Sequence, residues 1–139
     1  MKSAFIRVMA VAFVLFTACK KHSDPPKPKS TVEQMNGQWK VSEINENNME
    51  NGTLQILSMQ GKPGDHFNFN LDGSIQITVL GADLNFPKYH VTGDSLFITN
   101  DLASDAFHIE SLSNTTLNLH GKTGISPTNY VEIWYHLTK

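Results

Sequence analysis

Between Phe67 and Val79 the chain alternates apolar and polar residues with a period of two. Phe67, Phe69 and Leu71 are separated by Asn68 and Asn70, Asp72-Gly73 intervenes, and Ile75, Ile77 and Val79 resume the alternation. An amphipathic helix would place its apolar residues three and four apart, so this pattern fits a pleated strand with one buried face. Asp-Gly supplies the backbone conformation of a tight hairpin turn. The stretch predicts two antiparallel strands.

The same alternation recurs at short spacing. Gly37-Gln38-Trp39-Lys40-Val41 opens a first strand to about Asn45. Tyr89 and Val91 lead through Gly93-Asp94 to Leu96 and Ile98. Phe107 and Ile109 lead through Ser113-Asn114 to Leu117 and Leu119, and Val131, Ile133, Tyr135 and Leu137 close the series. Residues 45–53 read as a polar loop, 60–64 as a turn and 121–127 as a loop, while 54–59 suit either a strand or a short helix. Ser30 with Glu33 three places on reads as a capping box for one helical turn through Met35. About eight strands and no long helix predict an all-β antiparallel meander, as a barrel or a sandwich. Roughly twenty bulky apolar side chains, at about 2 kcal/mol each, supply a core that chain entropy largely offsets.

The N-terminus has a different logic. Lys2 and Arg7 precede the apolar run Val8–Phe16, which would span only about 14 Å as a helix against a hydrocarbon core of about 30 Å. With Leu15-Phe16-Thr17-Ala18-Cys19 following, residues 1–18 read as a signal peptide. Cys19 is the single cysteine, so no intramolecular disulfide is available. Its setting favours lipidation, with a free thiol, a nucleophile and an ordinary signal-peptidase cut as the competing readings. Residues 19–30 contain Lys20–Ser30, a polar Pro/Lys-rich tether partly extended as polyproline II. Taken at about 3.3 Å per residue, the tether reaches at most about 40 Å from a bilayer. Residues 31–139 form the remaining domain.

Removal of residues 1–18 takes away Lys2 and Arg7, the latter the sole arginine, and leaves 9 lysines against 13 acids, a net charge of −4. Guanidinium clamps on phosphate are then absent, and with no basic stripe nucleic acid is not an expected partner.

With these residues laid out, residues 31–139 resemble the lipocalin-like lipoproteins of Bacteroidetes-type bacteria. The likeness rests on Gly37-Gln38-Trp39, similar to the lipocalin G-x-W, on the Val91–Leu96 turn, and on the aromatic last strand ending near Lys139. It implies an up-and-down barrel whose tryptophan closes the floor beneath a basic residue of the last strand, a role that falls to Lys139 here. The family's second motif, T-D-Y, is missing, as is a helix before the last strand. The resemblance further implies an interior that binds a small apolar molecule.

Residues with chemical potential are scattered. His66, His90, His108, His120 and His136 each neighbour core-phase residues, which puts all five on the outer face. Imidazoles suit transition metals, but no H-x-H or H-E-x-x-H spacing is present, and solvated histidine is the simpler reading. Glu43 shares the phase of Trp39 and Val41, so it either points inward or is a solvated strand-end acid. No inward carboxylate pair of the glycosidase kind is visible, no serine lies in a G-x-S-x-G setting, and Gly61-Lys62-Pro63-Gly64 is a turn. Neither an enzyme nor a cofactor is expected. Tyr130 and Trp134 lie opposite Val131, Ile133 and Tyr135, where they stack on a sugar or partner or pack beneath a loop such as 54–64.

The expectation is thus a lipid-anchored outer-membrane protein, on either side of that membrane, with Cys19 acylated (palmitate in the usual labelling) and a small barrel closing around an apolar ligand. Ligand contacts are expected from inward residues near the open end: Phe69, Ile77, Tyr89, Phe107 and Tyr135. The competing expectation is a packed, non-enzymatic interaction module serving as an accessory subunit of an outer-membrane complex.

Overall fold

The computed structural model describes residues 27–86, 88–99 and 104–139. One short helix, α1 (Thr31–Met35), precedes ten strands: β1 (Gly37–Glu50), β2 (Thr53–Gln60), β3 (His66–Phe69), β4 (Ile75–Val79), β5 (Ala82–Phe86), β6 (Lys88–Thr92), β7 (Ser95–Thr99), β8 (Ser104–Leu112), β9 (Thr116–Ser126) and β10 (Asn129–Thr138). All ladders are antiparallel, in the order β5-β4-β3-β1-β10-β9-β8-β7-β6, with β2 paired to β1. Sequential pairing, plus the β1–β10 ladder joining the two ends, makes an up-and-down barrel.

The ten segments act as eight staves. β3 and β2 follow one another along a single edge of β1, β3 beside Gly37–Lys40 and β2 beside Glu43–Glu50. β5 and β6 are one residue apart, the first paired with β4 and the second with β7. Among the described residues no ladder joins β4 or β5 to β6. There the Tyr89 N–H donates to the Gly73 carbonyl at 2.6 Å.

The break in the β2–β3 stave sits beside a bulge in β1. Ser42 is the extra residue between the pairs Val41–Leu137 and Glu43–His136. Across it the Gly61 N–H donates to the Ser42 carbonyl at 3.0 Å and the Val41 N–H to the Asp65 carbonyl at 3.1 Å. A Cβ at Gly61 would lie 1.9 Å from the Val41 carbonyl oxygen, so only glycine allows this approach. The bulge also reverses the alternation along β1. Trp39 and Val41 face inward, and beyond the bulge Ile44 takes the inward place. Glu43 therefore faces out, accepting from the Ser58 hydroxyl at 3.0 Å; Glu46 takes the inward phase instead.

Two segment readings and the place of Leu71 are corrected, and the choice left open at 54–59 falls to strand. The polar stretch 45–53 is no loop: β1 continues to Glu50 and turns at Asn51-Gly52, whose φ angles of 50° and 78° suit a two-residue hairpin. Residues 54–59 are strand, and 121–126 continue β9. Leu71, expected in the alternating strand, lies in the β3–β4 turn and is 65% exposed. There the Asp72 carboxylate accepts from the Ser74 N–H and hydroxyl, leaving no ladder position for Leu71.

The floor is closed by α1. Ser30 caps it reciprocally with Glu33, and Gly37, at φ 105°, swings the chain from the helix into β1. Trp39, fully buried, donates its indole N–H to the Met35 carbonyl at 2.5 Å. The Lys139 ammonium sits 4.2 Å over the Trp39 ring and donates to the Asn36 and Gln34 carbonyls at 2.8 and 3.2 Å. Lys139 thus fills the basic role over the tryptophan that the last strand was expected to supply. Only two residues separate β9 from β10, so no helix precedes the last strand.

Candidate functional site

The barrel interior changes character along its axis. Toward the floor, Trp39, Phe69, Leu96, Leu117, Leu119 and Leu137 are all buried and leave a solid core. Toward the other end, Phe107, Ile133 and Tyr135 are only partly buried. The alternation that buries Leu117 and Leu119 next brings in Gly121, directly opposite Phe107. With no side chain at Gly121, the Phe107 ring packs directly over its backbone, and a Cβ there would meet that ring at 2.7 Å.

Two adjoining cavities occupy this half. One, of about 80 Å³, is walled by Phe67, Ile77, Leu84, Ile98, Asp105, Phe107 and Tyr135. The other, of about 180 Å³, shares Asp105, Phe107 and Tyr135 and adds Gly121, Thr123, Val131 and Ile133 among its walls. An open groove of about 430 Å³ at the ends of β1, β9 and β10 shares Thr123 and Val131 with the larger cavity and forms a mouth to solvent. A still larger depression, about 580 Å³, lies on the outside beside the 61–66 segment; it is separate from the barrel interior.

Of the five expected contact residues, Ile77, Phe107 and Tyr135 come together around the smaller cavity. Phe69 and Tyr89 do not line it. They pack edge to face, with centroids 5.2 Å apart, and the Tyr89 hydroxyl donates to the Asn70 carbonyl at 3.0 Å. Burial, then the Asp72 carboxylate, raises the Tyr89 phenol above its ordinary range. Tyr135 is the hub of the upper half, 5.1 Å from Phe67 and 6.0 Å from Phe107 between ring centroids.

Two acidic residues beside this hub were not among the expected contacts. Asp105 lines both cavities. Glu46 lies opposite Ile133 in the β1–β10 ladder, one inward place beyond the Ile44–Tyr135 pair. The Tyr135 phenol is pushed up to about 12, first by its own desolvation and then by the charges of Glu46 and Asp105. Asp105 was legible, because it shares the period-two phase of Phe107 and Ile109. Glu46 was not, because the bulge at Ser42 changes the phase between it and Trp39.

The five histidines lie on separate partners. His66 Nδ1 meets the Gly64 carbonyl at 2.7 Å, His90 stacks on Phe97 at 4.8 Å, and His136 Nδ1 lies 3.0 Å from the Asn118 side-chain oxygen. His120 lies across the ladder from His108 and stacks on Trp134 at 4.6 Å, nearly parallel. Among the described residues no three His, Cys, Asp or Glu converge as a metal site. Trp134 and Tyr130 are not roofed by residues 54–64, because that segment is the strand and turn flanking β1. Their covers are cross-strand neighbours: His120 on Trp134, and on Tyr130 the Lys122 ammonium, 4.1 Å from the ring centroid and 2.8 Å from Glu132. Cys19 and the residues around it lie outside the described residues.

No protein-family model matches the sequence, and no curated protein matches it. Among solved structures, the chain is similar to bovine odorant-binding protein in complex with a selenium-containing odorant, at 17% identity over 84% of this chain and 77% of that one, with a TM-score of 0.49. The same protein complexed with its natural ligand gives 17% identity over 83% and 77%, TM-score 0.46. Its deswapped triple mutant gives 17% over 76% and 74%, TM-score 0.45. The ladders and strand order of this chain define its barrel independently of these likenesses.

Proposed function

We propose that this protein is a lipid-anchored, lipocalin-like protein of the bacterial cell envelope that holds a small apolar molecule in the upper half of its barrel. The observation that carries the reading is the blind, mostly apolar cavity: a floor sealed by α1, Trp39 and Lys139, and a wall in which the Phe107 ring lies against Gly121. A cavity of about 180 Å³ has room for a single ring, since an engineered cavity of about 150 Å³ in another protein takes up benzene. Calorimetric titration of the chain with phenethyl alcohol tests it. Binding at one site in the wild type, lost in Gly121→Ala as the new methyl drives the Phe107 ring into the cavity, is the expected result. No heat from the wild type overturns it.

The anchor rests on Leu15–Cys19 and the tether after it, and an outer-membrane address follows from the same lipoprotein signal. The Cys19→Ser protein is expected in the soluble fraction, with labelled palmitate entering only the wild type. Retention of the variant in the membrane removes the anchor from the proposal.

A second role, as an interaction module on a membrane complex, is favoured by β2. Among the described residues this strand pairs with β1 alone; it has no charged residue along Thr53–Gln60 and leaves Leu54, Ile56 and Leu57 46%, 70% and 48% exposed. An uncharged open edge of this kind invites another strand. Crosslinking in membranes is expected to capture a partner that Ile56→Lys releases.

A further inference from the structure

We propose that the barrel selects ligands whose small apolar or aromatic body carries a protonated amine, and rejects carboxylates. This rests on the reading of the barrel as a ligand site and specifies the ligand's chemistry.

The polar groups of the upper interior are lopsided in sign. Asp105 lines both cavities, and its Phe107 neighbour two places on fixes its inward phase. Glu46 enters the same half from β1, across the ladder from Ile133, a wall residue of the larger cavity. The Tyr135 phenol lies close enough to feel both carboxylates as well as its own burial. One carboxylate, Asp105, and the Tyr135 phenol therefore line the apolar space, and a second carboxylate, Glu46, stands beside that phenol without lining either cavity.

Among the described residues no cation balances them from within. Arg7 is the only arginine and is not among the described residues. Among the described lysines, Lys122 is on the outer face with Glu132 and Tyr130, and Lys139 is spent on the floor outside Trp39. Lys40 and Lys88 alternate with buried Trp39 and Tyr89 and are exposed; Lys62 is exposed on the 61–65 segment. Farther toward the mouth, Asn48 and Thr123 are uncharged, and Glu50, in phase with Glu46, adds another acid.

A carboxylate-headed guest, such as a fatty acid, would bring a third negative charge into a poorly solvated space and find no donor charge to meet it. An ammonium brings the missing sign and three donors for Asp105, Glu46 and the Tyr135 oxygen, while its ring can face Phe67 or Phe107, where a cation also gains from aromatic faces. The apolar walls supply affinity, and the acids decide which head group enters.

Calorimetric titration of the chain with three guests of one size, phenethylamine, phenethyl alcohol and hydrocinnamate, tests this. The amine is expected to bind about tenfold tighter than the alcohol or better, and hydrocinnamate to give no measurable binding. Asp105→Asn and Glu46→Gln, which keep side-chain size, are each expected to weaken the amine about fivefold or more and the alcohol by less, so that the preference for the amine falls. Equal binding of amine and alcohol, or binding of hydrocinnamate as tight as either, overturns the selection and leaves the apolar site standing. Failure of all three guests overturns both. The ranking in the wild type decides the matter even where a variant fails to fold.

Discussion

Two side chains show how single groups hold this barrel and tune it. Lys139 is the cation over Trp39 and the donor to the last carbonyls of α1, so it ties the end of β10 to the helix that plugs the floor. Desolvation, then the nearby Lys29 charge, lowers its ammonium below the ordinary lysine range, the mark of a cation drawn against an indole. Lys139→Met keeps the methylene stem and removes the charge; a loss of about 1 kcal/mol is expected, read as a lower urea midpoint with an unchanged slope. Tyr135 gives a second signature. Its phenol ionises near 12 in the fold against 10 for a free tyrosine. Between those values the folded chain holds a proton that the unfolded chain has released. Stability is therefore complete below 10 and falls as pH rises toward 12, by on the order of 2 kcal/mol. Tyr135→Phe should flatten that alkaline decline in urea midpoints and remove the latest-titrating phenolate from the absorbance curve; an unchanged decline would place the titrating group elsewhere.

At the scale of the element, the bulge at Ser42 and the interruption at 61–65 are one device seen from two strands. The bulge shortens the register of β1 against β10, and the excursion through Lys62-Pro63-Gly64 accommodates it on the other edge. Gly61 is the contact between them. Gly61→Ala is expected to cost about 3 kcal/mol or more, read as a lower thermal midpoint; Gly64 differs, with nothing within 4 Å of its virtual Cβ but a φ of 100° that strains any other residue there. This device also explains what was and was not legible in the sequence. Strands whose phase runs unbroken, such as those through Tyr89–Val91, Leu96–Ile98 and Leu117–Leu119, announce their inward faces directly. β1 does not, because one inserted residue exchanges its faces midway, and Glu43 and Glu46 exchange roles with them. The polar run 45–50 misleads for a related reason: Asn suits turns in general, yet here residues 45–49 are held between two ladders and the chain turns at Asn51-Gly52.

For the whole molecule, α1, Trp39 and Lys139 close one end of the barrel while the mouth beside Thr123 and Val131 keeps the other accessible. The floor was legible from Gly37-Gln38-Trp39 and Lys139, because a motif residue and its partner act locally. The cavity was only half legible. Ile77, Phe107 and Tyr135 carry the right phase and height, but phase alone does not tell depth, and Phe69 and Tyr89 share it while packing lower down. Nor does it reveal empty space, which depends on how the Phe107 ring settles against Gly121.

The pairing of β1 with β10 has a consequence in time as well as space. The central strand of the barrel finds its longest ladder with the most distant strand of the chain, so its closure loop is nearly the whole domain, and such long-range pairing is slow to form. Along the ladder order, β3 and β2 rest on β1 while β9 rests on β10, so hairpins formed earlier have no common wall until β10 arrives. If the chain is exported as its N-terminus suggests, it emerges on the far side as a string of separate hairpins and becomes a barrel only once residues 129–138 are through. Refolding of the chain is then expected in milliseconds to seconds and not microseconds, with the amides of the β1–β10 ladder gaining protection from hydrogen exchange last and those of the local β1–β2 hairpin before them; early protection of the β1–β10 ladder in pulse-labelling would contradict this order of events.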